Sequence, residues 1–259
     1  MKFIFMGEKD KPVIVFIHGM FCNSDSNKHF VKYLKDNYCI IMPTLDGHCG
    51  DETIYTTKEE QAKKILEYIK NKGIKDIALL QGSSMGAQVA LEMVNQSDIH
   101  IKNVFLDGGP FFKFPKLFRF IMYKKFVAMV KMIQKETDIK VIRNDIIHNK
   151  FLKLLIGKDT KPYEELLSEM CIVCNSMKLE SIKNIIETCY NCTLPEFHSD
   201  ISNRITFFFG KEELAHMSKR RLIKKYPNSI FRDMEGFKHL GYQTRQPMEY
   251  AKILKDTIG

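Results

Sequence analysis

The chain has no uninterrupted apolar run long enough to cross a bilayer, which excludes an integral helical membrane protein. Its first residues, MKFIFMGEKDKPVIVFIHG, hold only a short apolar patch, without the long apolar segment and small-residue cleavage site of a secretory signal. A cytoplasmic protein without stable membrane insertion is the expectation. No internal repeat and no low-complexity linker interrupts the chain, so neither a solenoid nor a tethered array is expected. The seven cysteines are an odd number and are scattered, which argues against a disulfide framework and for reduced thiols. The formal charge of +9 would steer an anionic partner towards the surface. Its lysines are spread along the whole chain and no recognition motif accompanies them, so no nucleic-acid partner is expected. What remains is ordinary for a soluble globular protein: 259 residues, 44% hydrophobic and 27% charged, enough for one α/β core and an insertion.

Five runs read as strands buried on both faces: PVIVFIH at 12–18, YCIIMPTLD at 38–46, KDIALLQG at 75–82, KNVFLDGG at 102–109 and RITFFFG at 204–210. Between them, helical spacing recurs near 27–38, at 57–73, where Gly73 sits at the stop, and at 85–96. Alternation of this kind predicts an α/β fold with a doubly wound, mostly parallel sheet and ligands beyond the carboxyl ends of its strands. From Pro110 to about Phe197 the rhythm breaks and amphipathic helical patterns take over. The expected division is therefore a core of 1–109 and 198–259 with a helical insertion at 110–197. The alternation resumes with RITFFFG, a helix near 216–226, a short strand at SIFRDM and a last helix at about 244–257.

The stretch LLQGSSMGAQ at 79–88 contains GxSxG, with Gly82, Ser84 and Gly86 in the fixed positions, between a strand and a helix. A serine on such a sharp turn is held in a strained conformation, and the glycines let strand and helix approach without a clash. The helix behind it aims free backbone N–H groups at the same spot, which suits a developing oxyanion. This pattern resembles the α/β-hydrolase superfamily, a resemblance that extends over the chain outside the helical insertion. It implies an oxyanion loop at FIHGMF (16–21), where the backbone N–H of Met20, or of Phe21, joins that of Met85. It also implies that 110–197 is a cap, and that Phe21 and Phe111 line the substrate site. LDGHCGDE at 45–52 resembles the family's proline-glycine-histidine-glycine loop, with Asp46 in place of the usual proline or arginine. His48 precedes Ser84 in the chain and reads as structural; Ser83 reads as support for its neighbour.

A serine hydroxyl needs a base held by a carboxylate. Of eight histidines, His239 in GFKHLGY lies where the family places its base, after the last strand and before the final helix. GKEE after RITFFFG offers Glu213 as the acid, a residue whose extra methylene asks for a shifted backbone. Asp107, at the end of the preceding strand, is the alternative and Glu212 the third choice. The resemblance implies a serine hydrolase acting on a small-molecule carboxylic ester or thioester through an acyl-enzyme, without a cofactor, as monomer or homodimer. Other chemistry on this fold, such as carbon–carbon bond hydrolysis or a lyase step, and a non-catalytic binding role stand as alternatives.

Two features of the insertion remain. Cys171, Cys174, Cys189 and Cys192 form two CxxC pairs at a spacing close to that of a zinc site. Helical patterning on both sides and the missing knuckle glycines favour buried thiols, and no metal is expected. KFPKLFRFIMYKKFVAMVKMIQK at 113–135 mixes aromatics, methionines and lysines at helical spacing. Such a helix either lies on a membrane or covers a pocket with a solvated basic face, the second being favoured.

Overall fold

Runs of β-branched and aromatic residues form the strands, and small or polar residues mark their ends. The computed structural model of the chain describes residues 1–136 and 159–259, with Val141, Asn144, His148, Lys153, Ile156 and Gly157 between them. In order come β1 (Lys2–Met6), β2 (Val13–Ile17), α1 (Lys28–Val31), β3 (Cys39–Thr44), α2 (Lys58–Asn71), β4 (Asp76–Ile77), β5 (Leu79–Ser83), α3 (Met85–Gln96), β6 (His100–Ile101) and β7 (Val104–Asp107). They are followed by α4 (Lys116–Lys135), α5 (Glu164–Ser176), α6 (Leu179–Tyr190), α7 (Ser199–Ser202), β8 (Ile205–Gly210), α8 (Lys219–Lys225), β9 (Ile230–Met234), α9 (Gly241–Arg245) and α10 (Pro247–Ile258).

Seven strands make one sheet in the order β1-β3-β2-β5-β7-β8-β9. It is parallel throughout except for β1, which pairs antiparallel with β3. From β2 the chain moves outward to β3 and then returns to β5 on the other side, so the strand order reverses between β2 and β5. Doubly wound sheets open a crevice at such a point, beyond the carboxyl ends of the strands. Alternate strand residues feed two apolar layers. Val15, Ile17 and Leu80 pack with α2 and α3 on one face, while Ile14, Phe16 and Leu79 pack with Phe30, Tyr250 and Leu254 on the other.

The doubly wound, mostly parallel sheet expected from the sequence is present, with local differences. β1 was absent from the sequence expectation, since KFIFM is partly exposed on an edge and short. The run at 75–82 is two strands: Ala78 N–H turns to Val13 O at 2.8 Å, and β4 pairs with β6 in a separate two-stranded ladder. The helix expected over 27–38 is a single α turn, preceded by a 3-10 turn at Ser24–Asn27. Phe30, Val31 and Leu34 are buried all the same, because successive turns bury residues three or four apart as well as a helix does. At the other end, the helix expected from about 244 is split into α9 and α10, where Pro247 supplies no N–H and starts a new helix. α4, α5 and α6 all fall in the interval 110–197, of which 137–158, apart from the six residues named above, lies outside the described residues.

Candidate active site

β5 ends at Ser83 and α3 begins at Met85, so Ser84 alone makes the turn, at φ 54° and ψ −119°. A non-glycine residue pays for that conformation in strain, which the surroundings must over-determine. Ser84 N–H donates to Asp107 O at 2.7 Å, and Ser84 O accepts from Ala87 N–H at 3.0 Å. The flanking glycines are required by contact: a Cβ on Gly82 would stand 2.3 Å from Gly86 O, and one on Gly86 2.3 Å from Ile17 O.

The loop after β9 brings His239 to this turn. His239 Nε2 lies 3.0 Å from Ser84 Oγ, and His239 Nδ1 lies 2.6 Å from Glu213 Oε2. A carboxylate only accepts, so Nδ1 carries the proton and Nε2 is left to accept from the serine. Glu213 Oε1 in turn accepts Gly210 N–H at 2.9 Å, so both carboxylate oxygens are engaged and the longer side chain folds back on its own strand end. Burial alone would pull the His239 pKa down. The hydrogen bond and charge of Glu213, with the charge of Asp107, outweigh it and raise the pKa above the usual 6.5.

Asp107 is turned elsewhere. Its Oδ2 accepts from Gln243 Nε2 at 2.7 Å, and its carboxyl also hydrogen-bonds Tyr250. Burial, reinforced by the negative charge of Glu213, pushes its pKa up to about 7. The side chain of Glu212 is exposed. Ser83 Oγ accepts from Gln81 Nε2 at 2.8 Å and from Gln243 Nε2 at 3.1 Å, while Gln81 also donates to Tyr250 Oη at 3.0 Å. Gln243, four residues beyond His239, thereby ties the histidine loop to the serine turn from beneath. Sequence reasoning missed Gln81, Gln243 and Tyr250, because glutamine and tyrosine inside a strand or helix carry no local signal of burial.

The loop after β2 completes the crevice. A Cβ on Gly19 would lie 3.1 Å from Ser84 Cβ, so Met20 follows directly beside the serine. Met85 is the first residue of α3, where backbone N–H groups have no partner within the helix. His18 Nδ1 donates to Gly19 O at 2.7 Å and its Nε2 accepts Leu45 N–H at 3.0 Å, pinning this loop to the end of β3. Burial, with the nearby His48, lowers the His18 pKa to about 3, so it is neutral in that role. His48 is buried as well, donates from Nδ1 to Asp46 O at 3.0 Å, and burial lowers its pKa to about 4. Asp46 accepts from Lys64 Nζ at 2.7 Å and from Gln61 Nε2 at 3.2 Å.

Comparison with known proteins bears on the fold that carries this site. The sequence profile of the alpha/beta hydrolase fold matches residues 12–139. An alpha/beta hydrolase family protein from Desulfitobacterium hafniense superposes with a TM-score of 0.75 at 20% identity, covering 100% of both chains. The chain has the alpha/beta hydrolase fold. A thermophilic esterase from Thermogutta terrifontis gives a TM-score of 0.70 at 15% identity, covering 98% of this chain and 91% of that one. The monoacylglycerol lipase abhd6-B of Xenopus laevis is 27% identical over 133 residues, 50% of this chain and 38% of that protein. This chain thus spans about two-fifths of the length of the curated relative it matches. The proteins that share this fold thus include esterases, and a monoacylglycerol lipase matches half of the chain in sequence.

Within the hydrolase fold, the segment between β7 and β8 reaches the crevice at two places. Phe21, at φ 60°, has its ring 5.2 Å from that of Phe126 on α4. Tyr163 O–H, just before α5, donates to His239 O at 3.4 Å. Phe111 is fully buried in the core, edge-on to Phe207 with ring centroids 5.6 Å apart. Cys171, Cys174, Cys189 and Cys192 are all buried, and burial pushes the Cys192 thiol up to about 12. Among the described residues no three or more His, Cys, Asp or Glu side chains converge as a metal site.

Proposed function

We propose that the chain is a serine hydrolase cleaving a carboxylic ester or thioester of a small or acyl-chain substrate, with Ser84 as nucleophile, His239 as base and Glu213 as the acid that orients it. The carrying observation is the unbroken line of hydrogen bonds from Glu213 through His239 to Ser84, 2.6 and 3.0 Å long, at a strained turn. His239 Nε2 takes the Ser84 proton as Oγ attacks the substrate carbonyl. The oxyanion that forms faces the N–H groups of Met20 and Met85, whose fixed dipoles stabilise it without reorganisation. His239 then returns the proton to the leaving alcohol or thiol, leaving Ser84 acylated. Water, deprotonated by the same nitrogen, releases the carboxylic acid and restores the serine. Glu213 keeps Nδ1–H in place and stabilises the imidazolium that appears at each step.

In this reading Asp107 is structural, holding Gln243 beneath the elbow, and the segment from α4 to α6 is a cap over the crevice. The loop after β2 meets this cap through the buried rings of Phe21 and Phe126, an apolar contact in keeping with an acyl-chain substrate. The testing experiment is labelling with a fluorophosphonate, mapped by mass spectrometry, alongside turnover of p-nitrophenyl acetate and butyrate. Label on Ser84, with turnover lost in Ser84→Ala, is the expected result. A folded protein that neither labels nor turns over would favour a non-catalytic ligand-binding role.

A further inference from the structure

Residues 108–135 contain seven Lys or Arg and no Asp or Glu. Most of them fall on α4, a helix with two apolar faces. Met122, Phe126, Val130 and Ile133 are buried on the inner one. On the opposite side Leu117, Phe120 and Ile121, spaced by three and four residues, are exposed at 72%, 56% and 45%. The same outward stripe continues with Lys124, Lys131 and Lys135. A helix that only covers a core carries polar residues on its outer face; this one presents an apolar wedge followed by lysines. Lys124 Nζ lies 5.3 Å from the centroid of the Phe120 ring. Arg119 turns inward to Glu187 at 3.1 Å. Among the described residues, no carboxylate pairs with Lys116, Lys124, Lys131 or Lys135.

We propose that the outward face of α4 docks the protein peripherally on an anionic lipid surface, with Leu117, Phe120 and Ile121 entering the interfacial layer and the lysines lying over the headgroups. Charge complementarity selects this occupant. A second copy would bring the same lysines against their own image, since a twofold contact pairs a patch with itself. Interfacial helices combine an apolar strip with Lys or Arg in this manner, and a basic segment gains from each lysine near an anionic surface. No helix among the described residues is long and apolar enough to cross a membrane, so the contact is one of surface and not of span. The consequence for substrate delivery rests on the hydrolase reading: the same helix that faces the lipid holds Phe126 against Phe21, two residues along the loop from Gly19, whose backbone lies against Ser84.

Cosedimentation with extruded vesicles tests the docking without any turnover. The wild-type chain is expected to bind phosphatidylcholine vesicles containing phosphatidylserine, and to bind pure phosphatidylcholine at least about tenfold more weakly. Lys124→Gln and Lys131→Gln should each cost about fivefold, and high salt should release much of the bound protein. The triple variant Leu117→Ser, Phe120→Ser, Ile121→Ser should lose at least about tenfold in binding while its thermal unfolding and p-nitrophenyl butyrate turnover stay unchanged. Equal binding to both vesicle types, no binding to either, or concentration-dependent dimers abolished by the triple variant would overturn the proposal. Failure of Ser84 to label leaves the vesicle result standing, and failure of vesicle binding leaves the labelling result standing, so the two readings fall separately.

Discussion

At the carboxyl ends of β5 and β7, buried polar groups are hydrogen-bonded to one another, whereas α4, only one ring contact away, leaves large apolar side chains open to solvent. The first region holds Ser84, His239 and Glu213 within 2.6 and 3.0 Å of their partners, and beneath them Gln243, Ser83, Gln81 and Tyr250 bond among themselves. The second is secured on one side by Phe126 and its neighbours and is unmatched on the other. Under the proposed hydrolase reading the difference is one of task. Chemistry needs atoms fixed to a fraction of an ångström, and polar networks in a low-dielectric setting supply that. Access to an apolar substrate needs an apolar surface that can meet it.

The comparison breaks most sharply at the serine. Ser84→Ala should lower kcat by about 10⁴- to 10⁶-fold and leave the unfolding temperature near that of the wild type, since alanine must adopt the same strained turn. The two carboxylates come next. Glu213→Gln should cost about 10³- to 10⁴-fold in kcat through a misdirected imidazole. Asp107→Asn, which can still accept from Gln243, should cost less than about tenfold, and parity between the two in steady-state kinetics would remove the distinction drawn here.

On α4 the expected effects are on stability. Phe126→Ala should destabilise the chain by about 3–5 kcal/mol in chemical denaturation, and Phe120→Ala on the outer face by less than about 0.5 kcal/mol. The smallest effect is in pH. Because Glu213 and Asp107 raise the His239 pKa, the protonated form is favoured in the folded protein. The base is therefore lost as pH falls, and the acid limb of kcat/KM should have its midpoint above 6.5. In Glu213→Gln that limb should move to lower pH; a limb that stays in place would mean another group sets it.

Much of the sheet could be read from residues alone, because buried parallel strands such as Val13–Ile17 and Ile205–Gly210 are continuous apolar runs that few other structures require. α3 at Met85–Gln96 coincides with its expected span, since the elbow glycines fix its start. Edges were less legible. β1 has a single strand partner and a partly exposed face, and α1 ends after one turn although its apolar spacing runs on. At the site, the serine and histidine stood out by position relative to strand ends, while Glu213 was preferred with Asp107 and Glu212 still open, since both strand ends offer a carboxylate. Gln243, Gln81 and Tyr250 did not, because their role is defined by neighbours distant in sequence, as in the bond from Gln81 to Tyr250. The ring contact of Phe21 with Phe126 likewise joins two segments whose pairing depends on how α4 lies over the loop after β2.

The most direct test is to trap the acylated protein. Rapid acid quench after mixing with p-nitrophenyl butyrate, followed by peptide mass spectrometry, should find one butyryl group on Ser84 in the wild type, accumulating in a burst of p-nitrophenol, and none in Ser84→Ala. A butyryl group on a different residue, or steady turnover by Ser84→Ala at the wild-type rate, would contradict the account.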